Sequence, residues 1–375
     1  MKKQVSNTQH LLYRVAALFL LIFILISCES FTTSPAQNTV AATDHTNTAI
    51  TQKIEAQTPP ALPAIYQSPF LNPLDKPHTY IEETCQSIRK KWDPLSAEPG
   101  TVVMIIMFHE IQRGPVDSVD GMSVFNFDKI MLKLKEQGFR AVNTKQFLAF
   151  MERNVKIPPR SVLLIQDGSY DRENFDNNFR EYWDMWGWPV VNGWVSQPNM
   201  PESVWEENRA LEREGLVDHQ AQGVIPGTVL SDDSSKAVIT RELEGSLTAF
   251  ADQFGKTPYA FIWPGGGFGL RPVQAARQLG YQLGFTSNSR GPVMYNWVPL
   301  ADEVDPARPS YIPEGFINDP LMTLPRYSPD QVLDSIDAVR GTGKEAAAYA
   351  EANKAAELKY YEAVCRSAFG PMPSP

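Results

Sequence analysis

The sequence predicts an α/β fold, a distorted (β/α) barrel of about seven repeats with flanking terminal helices. Three observations carry that expectation. From residue 101 onward, short β-branched apolar runs such as Thr101–Met107 alternate with segments of helical period. Roughly seven such units fit into about 190 residues, which suits a barrel better than the alternative, an open doubly wound sheet. A chain that is 43% hydrophobic and 11% aromatic also has ample material for a large core, which excludes wholesale disorder.

The elements follow in chain order. Lys2, Lys3 and Arg14 precede an uninterrupted apolar segment, Val15–Ile26, with no acidic residue before Glu29. At 1.5 Å per residue this segment covers about 18 Å, short of the roughly 30 Å hydrocarbon core, so residues 1–27 read as a signal peptide. Leu25-Ile26-Ser27-Cys28 resembles a bacterial lipobox, in which Cys28 is lipidated and becomes the mature N-terminus on a membrane. An ordinary signal peptide with an incidental cysteine is the alternative. Glu29 in the next position favours outer-membrane sorting in Gram-negative lipoproteins. Residues 28–77 are rich in Ser, Thr, Ala, Gln, Asn and Pro without periodicity, and read as a disordered tether. The expected location is the bacterial cell envelope, lipid-anchored and facing periplasm or exterior.

A flank over 78–100 leads into the barrel, expected over 101–330, and a helical extension over 331–375 follows. Thr101–Met107 is continuous in apolar character, as a strand buried on both faces requires. Phe127, Ile130, Met131 and Leu134 follow the i, i+3, i+4, i+7 pattern, and Gly138 supplies the helix stop. The alternation continues with strand 139–142, helix 145–152, strand 161–165, helix 173–186, strand 189–195 and helix 202–214. Strand 216–219, helix 240–254, strand 259–263, helix 271–279 and strand 281–286 complete it. Cys85 lies on a helix predicted over 80–92 and Cys365 near the end of one predicted over 343–367. In an oxidising compartment a disulfide between them is plausible, and two buried thiols are the alternative.

The formal charge of −9 and pI near 5.2 argue against a phosphate-backbone binder, so no nucleic-acid partner is expected. Three cysteines are too few for a disulfide miniprotein or a Cys-rich zinc module. In barrels and open sheets alike, ligands meet the C-terminal ends of the strands. There the sequence places His109, His219, Gln166-Asp167-Gly168 and Trp263-Pro264-Gly265-Gly266-Gly267. Singly, each has a plain structural reading as a hydrogen-bonded histidine, a turn or a loop. No helix-opening GxGxxG or Walker lysine accompanies the glycines. Together on one rim they mark the candidate site.

On these residues the chain resembles the polysaccharide deacetylase (NodB homology) domain, carbohydrate esterase family 4, in its branch acting on poly-N-acetylglucosamine of biofilm matrix. Met107-Phe108-His109 is similar to the family's first strand end, and Pro158–Gly168 to its "PPRSVLLTFDDG" segment. Glu214–His219 resembles the approach to its metal-binding histidines. Phe261–Gly265 and Gly280–Thr286 resemble two later strands. The resemblance implies metal-assisted hydrolysis of acetamide, with a divalent, zinc-like ion held by one Asp and two His in H-x-x-x-H spacing. It makes Asp167 and His219 metal ligands and His109 the general acid, with Trp263, Pro264 and Gly265 at the substrate. Two positions depart from the pattern: Gln166 replaces the base Asp, and Gly223 replaces the second metal His. Gly265 also stands where the family has tyrosine. Asp171, Asp232, Asp233 and Gln222 are the nearby residues able to compensate.

A hydrolase of N- or O-acetylated glycan with a modified site and a non-catalytic glycan-binding lipoprotein are thus the two leading expectations. Trp183, Trp186, Trp188, Trp194 and Trp263 are available as sugar-stacking faces or as core. A transporter-type binding protein is a third, weakened by the lack of an internal repeat. Loss of residues 1–27 leaves 31 basic against 43 acidic residues, a charge of −12, which suits a neutral or cationic glycan better than an anionic polymer.

Overall fold

A computed structural model describes residues 59–116, 121–308 and 315–374. The signal segment, Cys28 and the tether up to residue 58 lie outside the described residues. Among the described residues, no helix is long and apolar enough to cross a membrane.

Eight strands form the principal sheet: β1 (Val102–Phe108), β2 (Arg140–Ala141), β3 (Arg160–Asp167), β4 (Val190–Trp194), β5 (Val217–Ala221), β6 (Ala260–Ile262), β7 (Leu283–Phe285) and β8 (Val293–Met294). Their order is β7-β6-β5-β4-β3-β1-β8, and β2 lies beside the first half of β3. Every pairing is parallel except that of β8 with the start of β1.

The sheet curls, and residues 321–327 bridge its two ends. Leu324 N–H donates to Gly284 O and Thr286 N–H to Leu324 O on the β7 side. Tyr327 N–H donates to Ile105 O, and Met107 N–H to Tyr327 O, on the β1 side. The predicted barrel is therefore closed by a segment that pairs only through isolated bridges, too irregular to read as a strand.

The continuous apolar runs are explained by two buried faces. Val102, Met104, Ile106 and Phe108 of β1 pack outward on Phe127, Ile130 and Leu134 of α2 (Val124–Glu136) and on Val332, Ile336 and Val339. Val103 and Ile105 face inward with Leu163, Ile165, Val191, Ile262, Phe285 and Leu324, joined by Phe147 and Phe150 of α3 (Thr144–Arg153). α3 starts at a full capping box, Asn143 with Gln146.

Three expectations are corrected. The helix predicted over 173–186 is two, α4 (Arg172–Asn178) and α5 (Arg180–Trp186), because Phe179 turns into the core against Phe108 and Phe127. The C-terminal helix begins fourteen residues before the predicted start, at Pro329, and runs to Tyr360 before a wider turn carries the chain to Cys365. Gly341 and Gly343 lie within it; a Cβ at Gly343 would stand 2.8 Å from Gly100 O, so glycine there permits backbone-to-backbone packing.

Residues 59–77, expected as the end of a disordered tether, also pack on the domain. Ser68 Oγ shares a 2.8 Å hydrogen bond with Thr342 Oγ1, Tyr66 stacks on Trp297, and Asp75 pairs with Arg308. Polar composition hid the few apolar anchors, such as Tyr66 and Leu71, that hold this stretch. Cys85, on α1 (Thr84–Lys91), is disulfide-bonded to Cys365 with a Cα separation of 5.4 Å.

Candidate functional site

At the C-terminal rim, β1 and β3 end beside each other with Phe108 opposite Gln166, which brings His109 next to Asp167. His109 Nε2 lies 3.4 Å from Asp167 Oδ2. The dominant partner of Asp167 is Arg326, from the closing segment. Its Nη1 donates to Oδ1 at 2.6 Å and its Nη2 to Oδ2 at 3.0 Å, while its Nε donates to Thr286 O at 2.5 Å. Arg326 is only 1% exposed, so this is a desolvated fork-to-fork pair. Burial alone would raise the Asp167 carboxyl, but Arg326 and His109 outweigh it and hold the group far below the ordinary carboxylate range.

Gln166 is buried and donates through Nε2 to His109 O and, at 3.3 Å, to Asp167 O. Both acceptors are carbonyls, so the amide orientation is fixed and Oε1 is left without a partner. A side-chain amide has no basicity near neutral pH, so the position supplies no general base.

A cleft of about 320 Å³ opens between His109–Ile111 and Gly168–Asn174. Side-chain amides from β4 and α4 brace the segment around Ser169. Asn192 donates to Ser169 O at 2.8 Å, Asn174 donates to Ser169 Oγ at 3.2 Å, and Asn178 donates to Asn174 Oδ1 at 2.8 Å. Asp171 lines the cleft, but its Oδ1 caps α4 through Glu173 N–H. Tyr170 stands edge-on to Trp194, and burial pushes its phenol up. The cleft thus offers the imidazole of His109, the carboxylates of Glu110 and Asp171, and the neutral hydrogen-bonding groups of Ser169, Tyr170 and Asn174, around Asp167, whose charge Arg326 balances.

His219 is elsewhere. Across β3, β4 and β5 it is in register with Asn192 and Gln166, whereas Asp167 is in register with Gly193 and Gln220. Side chains alternate faces with period 2, so His219 leaves the sheet on the face opposite Asp167. It is fully buried behind β5, with Nδ1 2.8 Å from Glu212 Oε2, Nε2 3.0 Å from Asn208 Oδ1, and its ring stacked on Phe254. Burial pushes its pKa down, against the pull of Glu212. The expectation that it joins Asp167 on a metal is corrected accordingly.

Gly223 adds no donor and is constrained. It has φ +93°, and a Cβ there would stand 2.9 Å from Glu242 Oε2, the oxygen that receives Val224 and Ile225 N–H. Trp263 is fully buried and donates its indole N–H to Met322 O, so it presents no face to a sugar. Pro264 is buried too, while Gly265 is exposed at φ +59°, a conformation that disfavours tyrosine. Trp188 and Trp194 are core, and Trp183 and Trp186 are half-buried outside the cleft. Asp232 is tied to Arg271 N–H, and Asp233 is exposed. Gln222 lies beside Gly193, with Oε1 buried and unpartnered.

A zinc-like ion does not fit these residues. Both oxygens of Asp167 are engaged by Arg326, both ring nitrogens of His219 are bonded on the other face, and position 223 has no side chain. Among the described residues, no three His, Cys, Asp or Glu converge as a donor set. Sequence reasoning missed Arg326, because Leu324-Pro325-Arg326-Tyr327-Ser328-Pro329 reads as a loop; its one signal is a lone cation beside an apolar run.

No family model matches the chain and no curated protein matches it. Solved structures do. Streptococcus pyogenes deacetylase PplD in complex with acetate is 19% identical over 64% of this chain and 99% of that one, with a TM-score of 0.49. IcaB from Ammonifex degensii is 14% identical over 64% and 98%, at 0.48. The BpsB deacetylase domain from Bordetella bronchiseptica is 15% identical over 60% and 95%, at 0.43.

Proposed function

We propose that this chain is a lipid-anchored, polysaccharide deacetylase-like barrel that binds a neutral or cationic glycan at its rim without metal-assisted hydrolysis. The carrying observation is the buried bidentate pair of Asp167 with Arg326. The guanidinium supplies from within the positive charge that a metal would bring to that carboxylate. What remains open is a polar cleft in which His109, Ser169 and Asn174 hydrogen-bond hydroxyl and acetamide groups. The envelope location rests on residues 1–28, and the preference against anionic polymers on the net charge of −12.

The test is metal analysis of the purified full chain, with acetate release and binding assays on N-acetylglucosamine oligomers. The expected result is no stoichiometric zinc, nickel or cobalt and no acetate, with saturable binding that His109→Ala and Asn174→Ala each weaken about tenfold. Acetate release by a chain holding one metal per molecule would overturn it, and so would failure to bind any acetylated glycan.

A further inference from the structure

A second cavity, of about 300 Å³, lies at the other end of β1. Pro99 and Gly100, just before that strand, line this cavity, and His109, just after it, lines the rim cleft, so on the order of 20 Å of strand separates the two. Its walls come from residues 62–66, α1, residues 294–297 and the long C-terminal helix. Leu62, Ile65 and Ala350 supply aliphatic surface. Tyr66, Trp297 and Tyr349 form a ring cluster in the same lining, with the Tyr66 centroid 6.0 Å from that of Trp297 and 5.5 Å from that of Tyr349.

The polar tips of those rings are already engaged. Tyr66 OH donates to Glu345 Oε2 at 3.4 Å, Tyr349 OH to Ala64 O at 2.9 Å, and Trp297 Nε1 to Tyr66 O at 2.9 Å. What each ring has left to offer a ligand is its π surface, whose negative face attracts an organic cation. The charges point the same way. The charged side chains of the lining are Lys91, Glu98 and Glu357, one positive against two negative. Lys91 Nζ pairs with Glu357 Oε1 at 2.8 Å, and Trp92 Nε1 donates to the other Glu357 oxygen at 2.7 Å. Glu98 is exposed, on the open side of the cavity, and among the described residues no cation pairs with it. Close by, Lys91 and Lys354 stand over the Trp92 ring, 5.2 and 4.9 Å from its centroid, so this end of the molecule already makes ammonium-on-aromatic contacts.

We infer that this cavity is a binding site for a small organic cation, an ammonium group that meets the Glu98 carboxylate on an apolar body that packs against the aromatic and aliphatic walls. Its volume is about twice that of a cavity that takes up benzene, so a ligand of one ring with a short ammonium arm fits. A neutral ligand of the same shape leaves Glu98 unanswered, and an anion meets its repulsion. This site is independent of the glycan reading.

The test is a fluorine NMR titration of the full chain at pH 7 with para-fluorobenzylamine, a cation there, and with para-fluorobenzyl alcohol as the neutral probe of the same shape. Saturable binding of the amine is expected, at least fivefold tighter than the alcohol. Glu98→Gln, a nearly isosteric change at an exposed position, should weaken the amine alone and bring the two probes within twofold of each other. Ala350→Phe should abolish binding of both by filling the cavity, and Glu98→Gln carries the test should Ala350→Phe fail to fold. Absence of saturable binding would overturn the inference, as would equal affinity for the two probes, a preference that survives Glu98→Gln, or unchanged binding in a folded Ala350→Phe variant.

Discussion

The two residues most suggestive of a metal, Asp167 and His219, sit in environments built by the same logic on opposite faces of one sheet. On the inner face, Asp167 is neutralised by Arg326 and approached by His109. On the outer face, His219 is neutral and held by Glu212, whose other oxygen pairs with Lys256. Burial would raise Glu212, yet His219 and Lys256 bring it down to about 2. Each carboxylate has a cationic partner within the protein, and neither centre presents an open coordination position. A carboxylate and a histidine at strand ends of one sheet make a metal site only if the register puts them on one face.

That comparison can be broken most forcefully at Arg326. Arg326→Met leaves Asp167 buried with only His109 beside it and should cost about 3–5 kcal/mol, on the order of 10 °C in melting temperature. Adding Asp167→Leu should recover much of the loss in a double-mutant cycle. If Arg326→Met is silent, the pair does not hold the rim.

Next in size is the reverse engineering of a metal site. Gln166→Asp with Gly223→His restores the family's residues on paper. Here it should cost about 1–3 kcal/mol from the strained position 223 and its clash with Glu242, and isothermal titration should detect no zinc uptake. Tight zinc binding by that variant would mean the rim rearranges around metal.

His219 gives a smaller, pH-dependent effect. Its folded pKa lies below the ordinary value of 6.5, so the unfolded chain binds the proton more readily. Its contribution is fully present above about pH 6.5 and is lost as pH falls toward the folded value. Denaturant titrations between pH 7.5 and 5 should show a decline that His219→Gln flattens. Glu212, depressed to about 2, acts in a separate window: its contribution is present above the ordinary 4.5 and lost as pH falls toward 2.

The smallest effect is expected on the surface. Arg180 pairs with Asp176 and Glu214 at 2.6 Å each, but all three side chains are partly exposed. Arg180→Ala should cost no more than about 1 kcal/mol, and less in high salt.

Legibility tracked how local the cause was. The buried strands Val102–Phe108 and Arg160–Asp167 and the helix Val124–Glu136 were readable because periodicity and caps lie within each segment. The split at Phe179 was not, since the reason is a ring 5.0 Å from Phe127, fifty-two positions away. Of the rim residues, His109, Gln166 and Asp167 were visible because strand ends are predictable. Asn192 and Asn174 carry no local signal that sets them apart from other polar positions.

By itself the sequence determined the alternating β/α order, the strands whose ends form the rim, and the presence of Gln166 and Gly223 where the family it resembles has an Asp and a His. Those are properties of local pattern and residue identity. Only the tertiary structure decided that His219 faces away from Asp167 and that Arg326, 159 residues further along the chain, occupies the carboxylate. Register between strands and closure of the barrel by residues 321–327 are set by long-range packing, which no local period encodes.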